Sequence, residues 1–471
     1  MKKIFLYISL FLSFSAMAQH QPYIHYSEHE RDTTDTKTLQ QFLRKGEFFG
    51  HTRYFFMATD NAAGLSDYYA NGFGMGIGYE TGRFKNFQVG ISGFFIYNIH
   101  SSDLSTKDAA TGLPNRYEMA LFDMENPKNH RDMDRLEDLY IRYTYKKSFV
   151  KFGKQHIKTP FINPQDGRMR PTLAEGAVVE WNQVKNLKVD AGWLYGISPR
   201  GTVKWYGIGE SFGVYPGGVN PDGTKSGYAN NVSSDALFYL GVTKNFGKNT
   251  RVQLWDQYVD NVFNTALLQV NNEWGINSDK SSQLVSGAQV IFQQALHNGG
   301  NADQSKTFML KNNEAYTYGL RLGYAKKDKW AITANYNHIA GTGRYLMPRE
   351  WGRDPFFTFM PRERNEGFGN ADAMNVVWSK TFKKAGIKSD IGYGHFYLPD
   401  VKNTALNKYA LPSYSQFNAD IRYGFKGFLK GMELQFLYVY KAPLGKTYGD
   451  DKYVFNKVNM SLYNVILNYH F

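Results

Sequence analysis

Alternation of apolar and polar side chains with a period of two runs through most of this chain and limits the fold more than any other feature. In 187–195 the odd-numbered residues are Leu, Val, Ala, Trp and Tyr, whereas Lys188 and Asp190 occupy even-numbered positions. The same pattern recurs in 316–324 and in 417–425. Because successive side chains of a strand point to opposite faces, this period predicts β-strands with one apolar face.

The placement of aromatic residues indicates that these apolar faces meet lipid. After residue 20 the sequence has no run of about 18 or more apolar residues, which excludes a helical membrane protein. Aromatic residues make up 16% of the chain. Pairs such as Tyr143/Tyr145 and Trp193/Tyr195 lie near strand ends, where an outer-membrane barrel carries its aromatic girdles. A soluble β-sandwich also alternates, so the aromatic positions favour a transmembrane barrel.

The expected strands are joined by short and long connections in turn. Short turns are expected near 81–86, 146–148, 184–186, 246–248, 326–329, 383–385 and 427–429, and the largest polar stretches are 100–134, 198–234, 340–370 and 396–415. Short periplasmic turns and long extracellular loops are typical of outer-membrane barrels, and wide barrels hold a water-filled lumen.

We therefore predict an all-β fold, a transmembrane antiparallel β-barrel. Its strands are expected to begin near residues 47, 68, 87, 135, 149, 174, 187, 235, 250, 265, 282, 314, 330, 371, 386, 416, 431 and 456. The count is eighteen strands, or sixteen if the weaker segments near 265 and 282 are not strands.

The first residues predict export. Two lysines precede an apolar stretch, and Ala-Met-Ala at 16–18 forms a small-residue cleavage site. We expect residues 1–18 to be a signal peptide, 19–46 a polar periplasmic segment and 47–471 the barrel. Within the polar segment, a short amphipathic helix over 37–45 is expected to touch the periplasmic mouth.

The last strand carries the most specific local signal. Five apolar residues alternate with polar ones up to the final position: Tyr463, Val465, Leu467, Tyr469 and Phe471. A terminal aromatic residue on such a strand is similar to the signal read by the barrel assembly machinery of the outer membrane. We expect that machinery, outer-membrane lipid and lipopolysaccharide to be partners of the chain.

Three segments of the N-terminal half resemble the OprD family of outer-membrane porins. They are "LSDYYANGFGMGIGYETGRFKNFQVG" within 50–97, "YIRYTYKKSFVKFGKQHIKTPFINPQDGRMRPTLAEGAVV" within 136–179, and "WDQYVDNVFNT" at 255–265. The Asn-Pro-x-Asp-Gly-Arg block after "FGKQ" is the most specific part. The resemblance implies an eighteen-stranded barrel of a Gram-negative outer membrane with a narrow channel for small solutes, often those that carry a carboxylate.

A proline-rich segment after the fifth strand is the candidate constriction of this channel. Residues 159–171 contain three prolines, which donate no backbone bond to a strand ladder. We expect a loop near 157–173 to fold into the barrel and to place four polar side chains at its narrowest point: Asn163, Asp166, Arg168 and Arg170. The alternative is an ordinary outward loop.

Glycine occupies every second position in part of the second strand, at Gly72, Gly74, Gly76 and Gly78. A bare inner wall lets another backbone approach closely, as an infolded loop would. An equal alternative is that glycine simply suits the curvature of the barrel.

Charged side chains fall on the inferred inner faces of several strands. The basic ones are Arg53, Arg142, Lys151, Arg321 and Arg422, and the acidic ones are Glu47, Asp138, Glu180, Asp420 and Glu433. Guanidinium groups along a narrow aqueous path would bind carboxylates bidentately and favour anions. The alternative is a lattice of wall salt bridges, in which the arginines brace the barrel and select little.

The expected function is that of a porin, a monomer or a trimer, for small hydrophilic solutes: ions, organic acids, amino acids, small sugars or peptides. We expect no cofactor, no nucleic-acid partner and no enzymatic activity. His20, His25 and His29 lie near two glutamates after the cleavage site, but three histidines in a polar segment are weak support for a metal site, and none is expected.

Two other functions remain open from the sequence. A hydrolase built on the barrel needs a serine, a histidine and a carboxylate on adjacent strands. The candidates His338, His395, Ser389 and Asp400 lie near strand ends, without a nucleophile motif. The second alternative is a secreted, soluble, β-rich binding protein.

Overall fold

The computed structural model describes residues 35–165, 167–277 and 281–471. Within these residues, eighteen long strands form one closed antiparallel sheet. In chain order they are β1 Glu47–Asp60, β2 Tyr68–Glu80, β3 Phe87–Asn98, β4 Met133–Tyr145, β5 Ser148–Gln155, β6 Leu173–Trp181, β7 Leu187–Ser198, β8 Leu237–Phe246, β9 Thr250–Val259, β10 Phe263–Gly275, β11 Ser282–Ala295, β12 Glu314–Lys326, β13 Trp330–Ile339, β14 Ala371–Phe382, β15 Ile387–Tyr397, β16 Tyr414–Gly424, β17 Met432–Pro443 and β18 Met460–His470.

Each strand pairs with the next, and β18 pairs back with β1 from His51↔His470 to Asp60↔Ser461. The predicted eighteen-stranded barrel is therefore confirmed, and the sixteen-strand alternative is excluded. The largest error in a strand start is at β18, expected near 456 and found at Met460.

Alternate residues of each strand face outward or inward, as the period of two predicts. On β12, Leu320 and Leu322 are 56% and 64% exposed, whereas Arg321 between them is 2% exposed. An outer wall of exposed apolar side chains is what a barrel presents to lipid. Side chains inside the barrel are instead covered by neighbouring strands and by loops.

The two ends of the barrel differ in the length of their connections. Among the described residues, long loops span 99–132, 156–172, 199–236, 296–313, 340–370, 398–413 and 444–459, all at one end. The opposite end carries short turns and is the periplasmic end in barrels of this class. The short connections at the long-loop end are 61–67 and 260–262.

A short helix, α1 Leu39–Arg44, precedes β1 at the short-turn end. The side chain of Thr38 caps it by accepting a hydrogen bond from the Gln41 N–H at 3.2 Å. Residues 35–36 pair in parallel with 83–84 of the β2–β3 turn. None of the helices in the described ranges is long and apolar enough to cross a membrane.

Closure of the barrel reaches the final residue. The Phe471 N–H donates to the Gly50 carbonyl, and the Gly50 N–H donates to the Phe471 carbonyl, both at 3.0 Å.

We expect deletion of Phe471 to lower the fraction of assembled, heat-modifiable protein on gels. The deletion removes two closing hydrogen bonds, each contributing about 1 kcal/mol, together with the terminal ring. Phe471→Tyr keeps both features and should assemble normally. Normal assembly of the deletion would contradict the expectation.

Candidate functional site

The long loops 99–132, 156–172 and 340–370 bend into the barrel. Each contributes fully buried apolar side chains, such as Phe122 at 2%, Met169 at 0% and Trp351 at 0% exposed. The loop 340–370 lies inside the barrel, although its polar sequence predicts an extracellular loop. The backbone of this proline-rich loop lies against the inner wall. Side-chain amides of the wall donate hydrogen bonds to loop carbonyls that have no strand partner.

Wall amides hold the loop 340–370 at several strands around the barrel. Gln289 of β11 donates to the Pro355 carbonyl at 3.1 Å, and Asn375 of β14 donates to the Thr358 carbonyl at 2.7 Å. On β16, both Gln416 and Asn418 donate to the carbonyl of Pro361, at 2.9 and 3.0 Å. The loop therefore spans the lumen across the strands from β11 to β16.

The four residues expected on the constriction loop have different surroundings. Asn163 binds the loop 340–370, because its Nδ2 donates to the Arg353 carbonyl at 3.0 Å and its Oδ1 accepts from the Arg353 N–H at 3.1 Å. Arg168 lines the central cavity described below. Arg170 instead donates to the Met133 carbonyl at 2.5 Å and is 1% exposed. Asp166 lies outside the described residues.

The five basic wall residues do not form one row. Arg53 donates from Nε to Asn468 at 2.7 Å and from a terminal nitrogen to the Arg168 carbonyl at 2.7 Å, so it binds the loop 156–172 to the wall. Arg422 lines the cavity. The others lie beside aromatic rings: Arg142 is 4.2 Å from the Phe149 ring centroid, Lys151 3.9 Å from that of Tyr140, and Arg321 4.3 Å from that of Phe357.

The acidic wall residues serve mainly as local acceptors. Asp420 pairs with Arg422 at 3.2 Å and accepts from Gln435 at 2.9 Å. Glu180 pairs with Lys188 at 2.8 Å, and Asp138 accepts from the Ser92 hydroxyl at 2.6 Å. Glu47 and Glu433 lie at the short-turn ends of β1 and β17. The salt-bridge interpretation therefore applies to Arg422 with Asp420 and to Glu180 with Lys188.

The glycines of β2 receive aromatic and loop side chains. A Cβ on Gly72 would lie 3.1 Å from both Met169 and Phe122 of the inward loops. At Gly74 and Gly76 the neighbour is Phe94, and at Gly78 it is Phe49, all within 2.6 Å of an added Cβ. Loop approach therefore accounts for Gly72, whereas the other three accommodate rings from the adjacent strands.

A cavity of about 90 Å³ lies between the inward loops and the β16–β18 wall. Two lining residues carry carboxyl groups, Glu363 and Asp420. Eight arginines line it: Arg116, Arg168, Arg200, Arg349, Arg353, Arg362, Arg364 and Arg422. The cavity is thus strongly basic.

Most described contacts of these arginines are with neutral oxygens or rings. Arg362 donates to the Gly167 carbonyl at 2.9 Å and to Asn464 at 2.6 Å. Arg364 donates to the Gly352 carbonyl at 3.2 Å. Carboxylates contact Arg422, through Asp420, and Arg349, whose Nε is 3.7 Å from Glu366. A carbonyl satisfies a guanidinium N–H without cancelling its charge, so the cavity keeps a positive field.

Burial in the loops shifts the pKa values of basic and acidic side chains in opposite directions. It lowers the pKa of Arg168 and of Arg200 to about 9, which leaves both protonated at neutral pH. Burial is also the main cause that raises the pKa of Glu363 to about 8, so this carboxyl is mostly neutral at pH 7. Both effects leave the positive charge of the cavity in place.

Six of the eight arginines were missed by sequence reasoning: Arg116, Arg200, Arg349, Arg353, Arg362 and Arg364. They lie on long loops, which strand periodicity does not describe. A usable signal was nevertheless present, since residues 348–364 contain three prolines and four arginines. That is the composition used to select 159–171 as an inward loop.

The residues considered for a hydrolase do not form one site. Ser389 and His395 are six residues apart on β15, which corresponds to about 20 Å along a strand. His338 instead pairs with Asp372 at 2.9 Å, and Asp400 accepts from Tyr448 at 2.8 Å. The histidines at 20, 25 and 29 lie outside the described residues. Among the described residues, no group of three or more histidine and acidic side chains is arranged to hold a metal ion.

The closed sheet, inward loops and basic cavity define a transmembrane β-barrel channel. The family described as outer membrane porin, OprD family, matches residues 88–350. The chain belongs to the OprD family of outer-membrane porins and is located in the outer membrane as a channel for small solutes. Family and fold are those of porins, which conduct solutes and are not enzymes.

Solved structures of porins share this fold at low sequence identity. Pseudomonas aeruginosa OccK9 (OpdG) is 13% identical, with a TM-score of 0.70 over 91% of this chain and 99% of its own. Acinetobacter baumannii OccAB1 is 14% identical, with a TM-score of 0.69 over 94% and 99%. Pseudomonas aeruginosa OpdK with vanillate is 13% identical, with a TM-score of 0.69 over 91% and 99%. No curated protein sequence matches the chain.

The loop 156–172 covers part of the lumen, which leads to a conductance prediction. Replacing 163–171 with a short Gly-Ser linker should raise single-channel conductance in planar bilayers, because the wall is unchanged while the free cross-section widens. The exposed loop tip 222–225, replaced in the same way, serves as the control and should leave conductance unchanged. Equal or lower conductance after the first replacement would show that this loop does not limit flow.

Proposed function

We propose that this porin selects small anions, chiefly carboxylates, at the arginine-lined cavity. The observation that carries the proposal is the excess of eight arginines over two carboxyl groups among the lining residues. In a narrow pore, guanidinium groups replace part of the hydration that an anion loses, whereas a cation gains no such compensation. The planar guanidinium also meets a carboxylate with two parallel hydrogen bonds.

The size of the cavity favours small solutes. Its volume of about 90 Å³ is several times the roughly 10–15 Å³ that a cavity needs to hold one water molecule. The cavity therefore admits a small polar group such as a carboxylate. OpdK, which shares the fold, has been crystallised with vanillate, itself a carboxylate. Because that protein is only 13% identical, we propose the chemical class and not the molecule.

The wall and the loops have separate roles in this proposal. Arg422 is paired with Asp420 and braces the wall, and Arg53 holds the constriction loop. Selectivity then rests chiefly on the arginines of the loops, which outnumber the carboxyl groups of the lining. We further propose that residues 1–18 direct export, that β18 with Phe471 is recognised by the barrel assembly machinery, and that the outer wall contacts lipid and lipopolysaccharide. The oligomeric state, a monomer or a trimer, stays a prediction.

Reversal potentials in a potassium chloride gradient test the anion preference. The wild type should prefer chloride, and Arg200→Gln combined with Arg353→Gln should lower the chloride-to-potassium permeability ratio several-fold. A unit charge about 7 Å from an ion contributes about 2 kcal/mol at an effective dielectric constant near 20, before salt screening.

The matched control removes two positive charges elsewhere. Lys147→Gln with Lys384→Gln changes the net charge equally at the exposed short turns and should leave the ratio almost unchanged. A wild-type pore that prefers potassium would overturn the anion proposal and leave the porin assignment intact.

The raised pKa of Glu363 predicts a pH dependence. Below pH 8 this carboxyl is largely protonated, and as pH rises through about 8 it becomes negative and opposes the arginine field. The anion preference should therefore fall between pH 6 and pH 8.5 in the wild type. Glu363→Gln, which is neutral throughout, should show a flatter profile. Identical profiles for the two proteins would exclude Glu363 as the titrating group.

A further inference from the structure

The helix α1 lies on the outside of the barrel, at its short-turn end. Tyr79 of β2 shares the outward face with Met75 and Ile77, which are 38% and 59% exposed, and its hydroxyl donates to the carbonyl of Leu43. The Gly82 N–H donates to the Phe42 carbonyl at 2.9 Å. These contacts fix the helix against the β2–β3 turn, beside the outer wall rather than across the lumen.

The level of α1 along the barrel axis is that of the aromatic girdle. Tyr79 packs against Phe48 with 4.8 Å between ring centroids, and Phe87 packs against Tyr143 at 4.9 Å. All four rings belong to the short-turn ends of β1 to β4. Aromatic girdles mark the two membrane–water interfaces of such barrels. The C-terminal end of α1 therefore lies at the periplasmic interface.

The surface of α1 has an apolar side and a basic surround. Leu39 and Leu43, four residues apart on one helical face, are 66% and 55% exposed, and Phe48, which packs against Tyr79, is 73% exposed. These apolar side chains continue the lipid-facing belt of the barrel. Lys37, Arg44, Lys45 and Lys85 lie in or next to the helix and its contact turn, and Arg83 pairs with Asp35 at 2.7 Å.

We infer that α1 is an interfacial anchor that binds phospholipids of the inner leaflet of the outer membrane. Leu39 and Leu43 enter the boundary between headgroups and acyl chains, and the surrounding basic residues contact headgroup phosphates. A six-residue helix is about 9 Å long, which exceeds the roughly 5–7 Å thickness of the interfacial layer on each side of the hydrocarbon core, so the helix has to lie close to the membrane plane.

This anchor would hold the beginning of β1 at the membrane. Only two residues, Lys45 and Gly46, separate α1 from β1. The barrel closes when β1 pairs with β18. A tether at the start of β1 restricts the conformations of β1 and so lowers the entropic cost of this pairing.

Single labelled cysteines test the depth of α1, because the chain has no native cysteine. Leu43→Cys is the test site, Ile77→Cys on the outer wall is the lipid reference, and Gln41→Cys on the opposite side of α1 is the water reference. Each full-length variant is labelled with an environment-sensitive fluorophore in nanodiscs of phosphatidylcholine and phosphatidylglycerol. The fluorophore at position 43 should be quenched by spin-labelled lipid, like the one at position 77. The fluorophore at position 41 should be quenched by aqueous iodide. If Leu43 behaves like Gln41, the anchor is overturned, and the exposed leucines are left for a protein partner.

Limited trypsin digestion in the same nanodiscs provides a second test. The wild type should resist cleavage after Arg44 and Lys45, whereas Leu39→Glu with Leu43→Glu should be cut at least about tenfold faster, since burial of two leucine side chains is lost. Gln40→Glu with Gln41→Glu adds the same charges to the polar side of α1 and should resist like the wild type. Equal cleavage of all three proteins would overturn the proposal, and recovery of the barrel fragment confirms that each variant is folded.

Discussion

Lipid offers no hydrogen bonds to the backbone, and this constraint governs the whole molecule. The sheet must close on itself, which β1 and β18 accomplish up to the mutual bonds of Gly50 and Phe471. Once closed, the barrel leaves no strand edge for the inward loops. Their backbone is satisfied by side chains of the inner wall, such as Gln289, Asn375 and Gln416. Buried amides on the wall are therefore the structural requirement for an irregular loop inside the lumen.

The same logic determines how the arginines keep their charge. A buried guanidinium must fill its N–H groups, and a carboxylate partner would do so while cancelling the field. Arg422 follows that route with Asp420. Arg168 and Arg364 donate to backbone carbonyls of the inward loops. Because irregular loops expose many carbonyls that no strand occupies, inward loops provide both the narrowing and the neutral acceptors that a basic cavity needs.

Sequence reasoning succeeded where a regular period was present. Eighteen strands and the inward orientation of residues such as Arg53 and Arg321 follow from the alternation of side chains. It failed for the loop 340–370, because the position of an irregular segment depends on distant partners such as Asn375 and Gln416. For the same reason Arg168 and Arg170, two residues apart, could not be separated into a cavity residue and a residue bonded to Met133.

The basic cavity lies beside the smaller of two apolar clusters inside the barrel. The larger cluster includes Trp351 and Phe356 with strands on one side of the barrel, and the smaller one includes Phe122 and Leu437 with β1 and β18. The cavity lining contains Leu437 and Ile466 of the smaller cluster. Arg349 and Arg353 flank Trp351 of the larger cluster in sequence. The apolar residues of the smaller cluster lower the local dielectric constant at the cavity, so the arginine charges act more strongly there than they would in open water. In the proposed function, the same packing that narrows the channel therefore strengthens the attraction of the cavity for anions.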